Sequence, residues 1–190
     1  STSPYHAQLL NLTQLHAQSS QYFKRIFFRC IDKNNNYLKS LLDLKQLTKF
    51  STGLLAQVDV QPDSQKKKNY LGQYYDTEFL RIGIGTLKGQ DLHTTNRRFT
   101  HFCDQYIKKL YEICREEIQI KTKRIMPNMD CFALFSAGGH ARREAYDDDY
   151  DIIAVVAVED TEILKYSTKI MTRVNREILN RGLLSHYRLG

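Results

Sequence analysis

No stretch of this sequence approaches the roughly 20 consecutive apolar residues that a membrane-crossing helix needs. The opening, Ser1 to Gln8, is polar and has no apolar run of the kind that directs a chain to secretion. The four cysteines (Cys30, Cys103, Cys114 and Cys131) show no C-x-x-C spacing, and the six histidines are scattered, none pairing with a cysteine or carboxylate at metal-ligand spacing. These absences argue against a membrane protein, a secreted disulfide scaffold and a structural zinc site. The cysteines sit among apolar neighbours, so buried thiols in a reducing cytoplasm are expected. No internal repeat is evident. With 190 residues, 42% hydrophobic and 26% charged, the chain suits one globular domain or a small domain with a helical extension. It opens at Ser1 rather than at a methionine and stops just after an expected strand, so a piece of a longer, multidomain protein is expected.

The net charge of +7 is unevenly placed. Residues 1–130 carry 20 basic against 12 acidic side chains, and residues 131–190 carry 8 against 9. The basic part includes the run Lys66-Lys67-Lys68 and the cluster Lys121, Lys123 and Arg124. Such a distribution could attract a polyanion, a nucleic acid or a nucleotide. A solvated helical surface with one lysine-rich loop would look the same.

Periodicity divides the chain into a helical part, about 1–125, and an α/β part, about 126–190. Helices are expected over about 5–31 and 37–47, separated by Asn34-Asn35-Asn36, with a further one over 70–80. Between the last two, a short strand around Val58 and Val60 and then a lysine-rich loop are expected. Gly83, Gly85 and Gly89 read as punctuation of a turn-rich segment. Phe99, Phe102, Cys103, Tyr106, Leu110, Ile113, Cys114 and Ile118 repeat at three and four residues, the clearest helical stripe in the chain, with Thr95 or Asn96 as its N-cap. From Cys131 the period changes. A strand over 131–136, a buried central strand over 151–158 and a third over 183–189 are expected. A helix capped by Asp160 or Thr161 should run to Asn180 with Ile163, Ile170, Val174 and Ile178 inward, and Gly182 should end it. The fold class is therefore α+β: a helical N-terminal part followed by a small mixed sheet flanked by helices.

The chemistry concentrates in Ser136 to Val156, SAGGHARREAYDDDYDIIAVV. Gly138 and Gly139 follow a strand and open a turn; without Cβ atoms they let backbone N–H groups approach an anion. Asp149 and Asp151 stand two apart at the entrance of the next strand, and strand alternation puts both on one face. Two carboxylates so close repel each other unless a cation lies between them, and hard oxygen ligands suit Mg²⁺ or Mn²⁺. Arg142 could reach phosphate oxygens through its planar fork, with Glu144 beside it. Gly83-x-Gly85-x-x-x-Gly89 lacks a strand–helix frame and reads as a turn, and Ser136 and His140 have no third partner for a hydrolase triad.

Strand, Gly138-Gly139, Arg142, Glu144 and then Asp148-Asp149-Tyr150-Asp151 resembles the DNA polymerase β-like nucleotidyltransferase superfamily. The likeness is nearest to its protein-modifying branch, the PII uridylyltransferases and glutamine synthetase adenylyltransferases. It covers about residues 97–189, with the specific motif in 136–151. The resemblance implies transfer of a nucleoside monophosphate from a nucleoside triphosphate to a hydroxyl by a two-metal mechanism. Asp149 and Asp151 would be the catalytic metal ligands, and Gly138, Gly139, Arg142 and Glu144 would attend the nucleotide. The implied acceptor is a protein side chain first and an RNA end second. The sequence departs from the family pattern in two respects. Glu144 lies one residue nearer the aspartate pair, with Asp148 in place of Ser or Thr. The family's third carboxylate, on a later strand, has no counterpart in Gly182–Gly190. A regulatory or nucleotide-sensing domain with a degenerate site is the rival expectation, and a basic helical module that docks nucleic acid is a third.

Overall fold

The computed structural model describes residues 23, 25–27, 43–123, 127, 132–136, 142, 149–157 and 159–189. They form the α+β arrangement expected: helices α1 (Leu44–Val58), α2 (Ser64–Leu87) and α3 (Leu92–Thr122), strands β1 (Phe132–Ser136) and β2 (Asp149–Val156), helix α4 (Thr161–Asn180) and strand β3 (Leu184–Leu189). Contacts group the chain into two compact units, Ser1–Phe102 and Cys103–Gly190. The expectation divided it near residue 125; the contacts instead group the second half of α3 with the sheet.

The first unit is helical. Of the helix expected over 5–31, the described residues Phe23, Arg25, Ile26 and Phe27 are helical, and Phe23, Ile26 and Phe27 are buried; the rest lies outside the described residues. Helix α1 starts after Asp43, which sits in extended backbone and accepts hydrogen bonds from the Lys45 and Gln46 amides. That cap satisfies donors left over at a helix start; of the helix expected over 37–47, residues 37–42 lie outside the described residues. The strand expected at Val58 and Val60 is absent. Val58 is the fully buried last residue of α1, while Val60 lies exposed in the turn that follows. Two β-branched residues carried that expectation; burial of Leu47, Leu54 and Val58 on one helical face outweighed them.

The lysine run is likewise helical. Asp63 accepts from the Lys66 amide and caps α2, so Lys66, Lys67 and Lys68 occupy its first turns. From Leu71 to Gly85 this helix is buried almost all round, as a helix at the centre of its unit must be. Gly83 and Gly85, expected in a turn, lie inside it. A Cβ on Gly85 would stand 3.4 Å from the Gln90 side-chain oxygen, an ordinary van der Waals contact. The turn comes at Gly89, with φ +105°. Thr95, expected as a cap, is instead buried: its Oγ1 lies 2.5 Å from Thr86 Oγ1 and accepts from Gln90 Nε2. Asp91 caps α3, accepting from the Thr94 amide and hydroxyl. Tyr75, Phe79, Phe99 and Phe102 pack edge-on or stacked at ring separations of 5.0 to 6.3 Å and form the core with Phe23.

Charged as well as apolar groups enter this core, among them Asp76 and Glu78. Glu78, 7% exposed, accepts from Ser51 Oγ at 2.5 Å and from Arg81 Nε and Nη2 at 2.9 and 2.7 Å. The hydrogen-bonded Glu78 carboxylate raises the Arg81 guanidinium above its already high ordinary pKa.

Among the described residues no helix is long and apolar enough to cross a membrane.

The second unit carries the sheet, in the order β1-β2-β3. β1 runs antiparallel to β2 with Ser136 opposite Ile152 and Phe132 opposite Val156. β3 runs parallel to β2, with Leu184 beside Asp149 and His186 beside Asp151. Parallel neighbours need a crossover, and α4 supplies it. Asp160 caps α4 through the Glu162 and Ile163 amides. Ile163, Ile170, Val174 and Ile178 are buried as expected, and Gly182 follows with φ +78°. Cys103 and Cys114 are buried and not in disulfides.

Candidate functional site

Strand β2 is central but not buried on both faces, as its apolar run had suggested. Tyr150, Ile152 and Ala154 are 3%, 6% and 0% exposed, while Ile153 and Val155 on the alternate face are 38% and 36% exposed. The covered face meets α3: the Tyr106 and Tyr150 rings lie 6.2 Å apart, and Tyr111 stacks on Phe132 at 5.3 Å. An ion pair of 3.0 Å from Arg173 on α4 to Glu117 ties the two helices together. The other face is open, and Phe135 adds to it.

Asp149 and Asp151 are β2 residues two apart, and backbone alternation puts Asp151 on the same face as Ile153 and Val155. Asp151 is half-buried and forms no ion pair with a described Lys or Arg. Its charge is not matched by a protein cation among the described residues. Among the described residues no group of three or more His, Cys, Asp or Glu side chains is gathered for a metal. Arg142 lies exposed in a turn. Gly138, Gly139 and Glu144 lie outside the described residues, as does His140.

Beside this strand is a cleft of about 700 Å³ that sequence reasoning did not anticipate. One flank of α3 (Asp104, Ile107, Lys108, Tyr111, Glu112 and Arg115) forms one wall, with Cys103 beneath. Phe132, Leu134, Phe135 and Ser136 of β1 form the other, and Tyr150, Asp151 and Ile152 of β2 close one end. Burial raises the Tyr111 phenol above its ordinary pKa, an effect that the nearby Arg115 charge partly offsets. Glu112 is engaged by Lys109 at 3.0 Å. Neither Lys108 nor Arg115 forms an ion pair with a carboxylate among the described residues. The signal available in the sequence was a second stripe, Asp104, Lys108, Tyr111 and Arg115, at helical spacing beside the apolar one.

No family model, no curated protein and no solved structure matches the chain.

Proposed function

We propose that this chain is a nucleotidyltransferase domain that moves a nucleoside monophosphate from a nucleoside triphosphate to a hydroxyl acceptor. The observation that carries the proposal is that Asp149 and Asp151 stand two apart on the central strand, with Asp151 half-buried and without an ion pair to a described Lys or Arg. The Gly138-Gly139 pair in the segment leaving β1 supports it from the sequence.

In this reading Asp149 and Asp151 hold Mg²⁺ or Mn²⁺, which supplies Lewis acidity at the triphosphate when bound. The backbone N–H groups around Gly138 and Gly139 cradle the phosphates. Arg142 offsets their charge, and Glu144 orients Arg142. The acceptor oxygen bonds to the α-phosphorus, the bond from that phosphorus to the bridging oxygen breaks, pyrophosphate leaves, and the hydroxyl proton passes to solvent. A protein side chain is the favoured acceptor and an RNA end the second choice.

One feature favours a nucleotide-sensing domain as the second reading. The strand beside β2 carries Leu184 and His186 next to the two aspartates and no carboxylate anywhere along it. The chain is therefore expected to bind nucleotide in a metal-dependent way and to transfer it slowly. Titration calorimetry with ATP and UTP, with and without Mg²⁺ or Mn²⁺, tests the first point. Asp149→Asn with Asp151→Asn should abolish the metal dependence; equal nucleotide binding by both proteins would reduce the acidic segment to a solvated loop. Transfer of label from ATP or UTP into lysate protein or RNA separates enzyme from sensor.

A further inference from the structure

The groove between α3 and β1 has the dimensions and exposed backbone of a strand-binding site. Among the described residues β1 pairs with β2 alone, so its other side is an edge. Such an edge presents unpaired N–H and C=O groups to any extended segment laid beside it. The five residues of β1 span about 17 Å at strand rise. The α3 wall from Cys103 to Arg115 spans about 18 Å at helical rise. The two walls lie side by side: Tyr106 meets Tyr150 towards one end, and Tyr111 meets Phe132 at the other. The floor is apolar, from Ile107, Tyr111, Phe132 and Leu134, and the helix wall carries Lys108 and Arg115, which have no carboxylate partner among the described residues. Asp104 and Glu112 on that wall are already engaged.

We propose that this groove binds an extended peptide segment, which adds to β1 as a fourth strand and places acidic side chains against Lys108 and Arg115 around an apolar one. Main-chain hydrogen bonds to the β1 edge would supply affinity, and the cations and apolar floor would supply selectivity. This stands whether or not Asp149 and Asp151 hold a metal.

Fluorescence anisotropy with the 190-residue chain tests it. The probes are three labelled nonapeptides: one alternating Glu and Val, the same with Lys for Glu, and the first with two central prolines. The Glu–Val peptide should bind, and the proline peptide should bind at least about tenfold more weakly, because proline cannot donate to the ladder. Lys108→Gln with Arg115→Gln should cost a similar factor. Amide exchange across residues 132–136 should slow when the peptide is added. Should the double variant lose its fold, Lys108→Gln alone, on an exposed residue, serves in its place. The inference is overturned by failure of the Glu–Val peptide to bind, by equal binding of the Lys–Val peptide, by unchanged exchange in β1, or by a single-stranded oligonucleotide displacing the peptide.

Discussion

Replacing Glu78 by Gln tests whether the charged group inside the first unit holds that unit together. The substitution keeps the shape of the side chain and removes its charge. Ser51 can still donate to the remaining amide oxygen, but the amide nitrogen that replaces the second oxygen would confront an Arg81 N–H donor across the present 2.7 Å. Arg81 cannot shed its proton in response, since even unassisted guanidinium stays charged. Removing one member of a buried pair costs about 3–5 kcal/mol because the other charge is left behind. The Arg81 side chain is 19% exposed, so water relieves part of this and the lower figure, about 3 kcal/mol, applies. For a chain of this length that is a fall in Tm of about 6–12 °C. Differential scanning calorimetry and urea titration followed by circular dichroism both measure it. Glu78→Leu with Arg81→Leu should recover most of the loss, because the stranded charge is gone; the residual cost, about 1 kcal/mol, reflects Ser51 without its acceptor. A loss below about 1 kcal/mol for Glu78→Gln would refute the reasoning and make the pair an ordinary solvated one.

Three further outcomes follow from the backbone, the caps and the sheet packing. Gly53 lies inside α1 with open space where a Cβ would go, so Gly53→Ala should stabilise by about 0.5–1 kcal/mol. Gly89→Ala, at φ +105°, should destabilise by about 1–2 kcal/mol; urea midpoints of the two variants moving the same way would contradict this. The bonds from the Thr94 hydroxyl and amide lower the Asp91 carboxyl pKa below the usual range. A lowered folded-state value means stability that is present above the unfolded pKa of about 3.9 and lost as pH falls through the folded one. The Tm gap between wild type and Asp91→Ala should therefore hold constant from pH 5 to 7 and narrow towards acid. Ile170→Ala, at a fully buried α4 position, should cost about 2–5 kcal/mol, and a smaller loss by urea titration would mean that the helix–sheet layer repacks freely.

The α/β half was legible because its elements announce themselves locally. The β-branched run Ile152 to Val156 could only be a strand of a packed sheet, Asp160 and Gly182 bracket α4, and the 3–4 stripe from Phe99 to Ile118 set α3. The errors lie where tertiary packing overrules local signals. Val58 is a helix residue because its burial outweighs a β-branched preference, and Gly83 and Gly85 are buried positions inside α2 rather than turn residues. That Asp149 and Asp151 stand at the head of a strand was legible, since the apolar β-branched run that follows them is a local signal. The cleft was not: it exists only when a flank of α3 is laid beside β1, and a residue such as Arg115 gives no sign in the sequence of which strand it will face.

The parallel pairing of β2 with β3 has a consequence for synthesis. β2 ends at Val156 and β3 begins at Leu184, so the 27 residues between them must leave the ribosome before the second neighbour of β2 can arrive. At about 5–20 residues per second that interval lasts on the order of 1–6 s. Throughout it Ile152-Ile153-Ala154-Val155-Val156, a run without charge or proline, offers one unpaired side to any other nascent copy. The period of greatest exposure to misassociation thus ends only when Gly182 turns the chain and β3 docks, so a ribosome that pauses within α4 would prolong it.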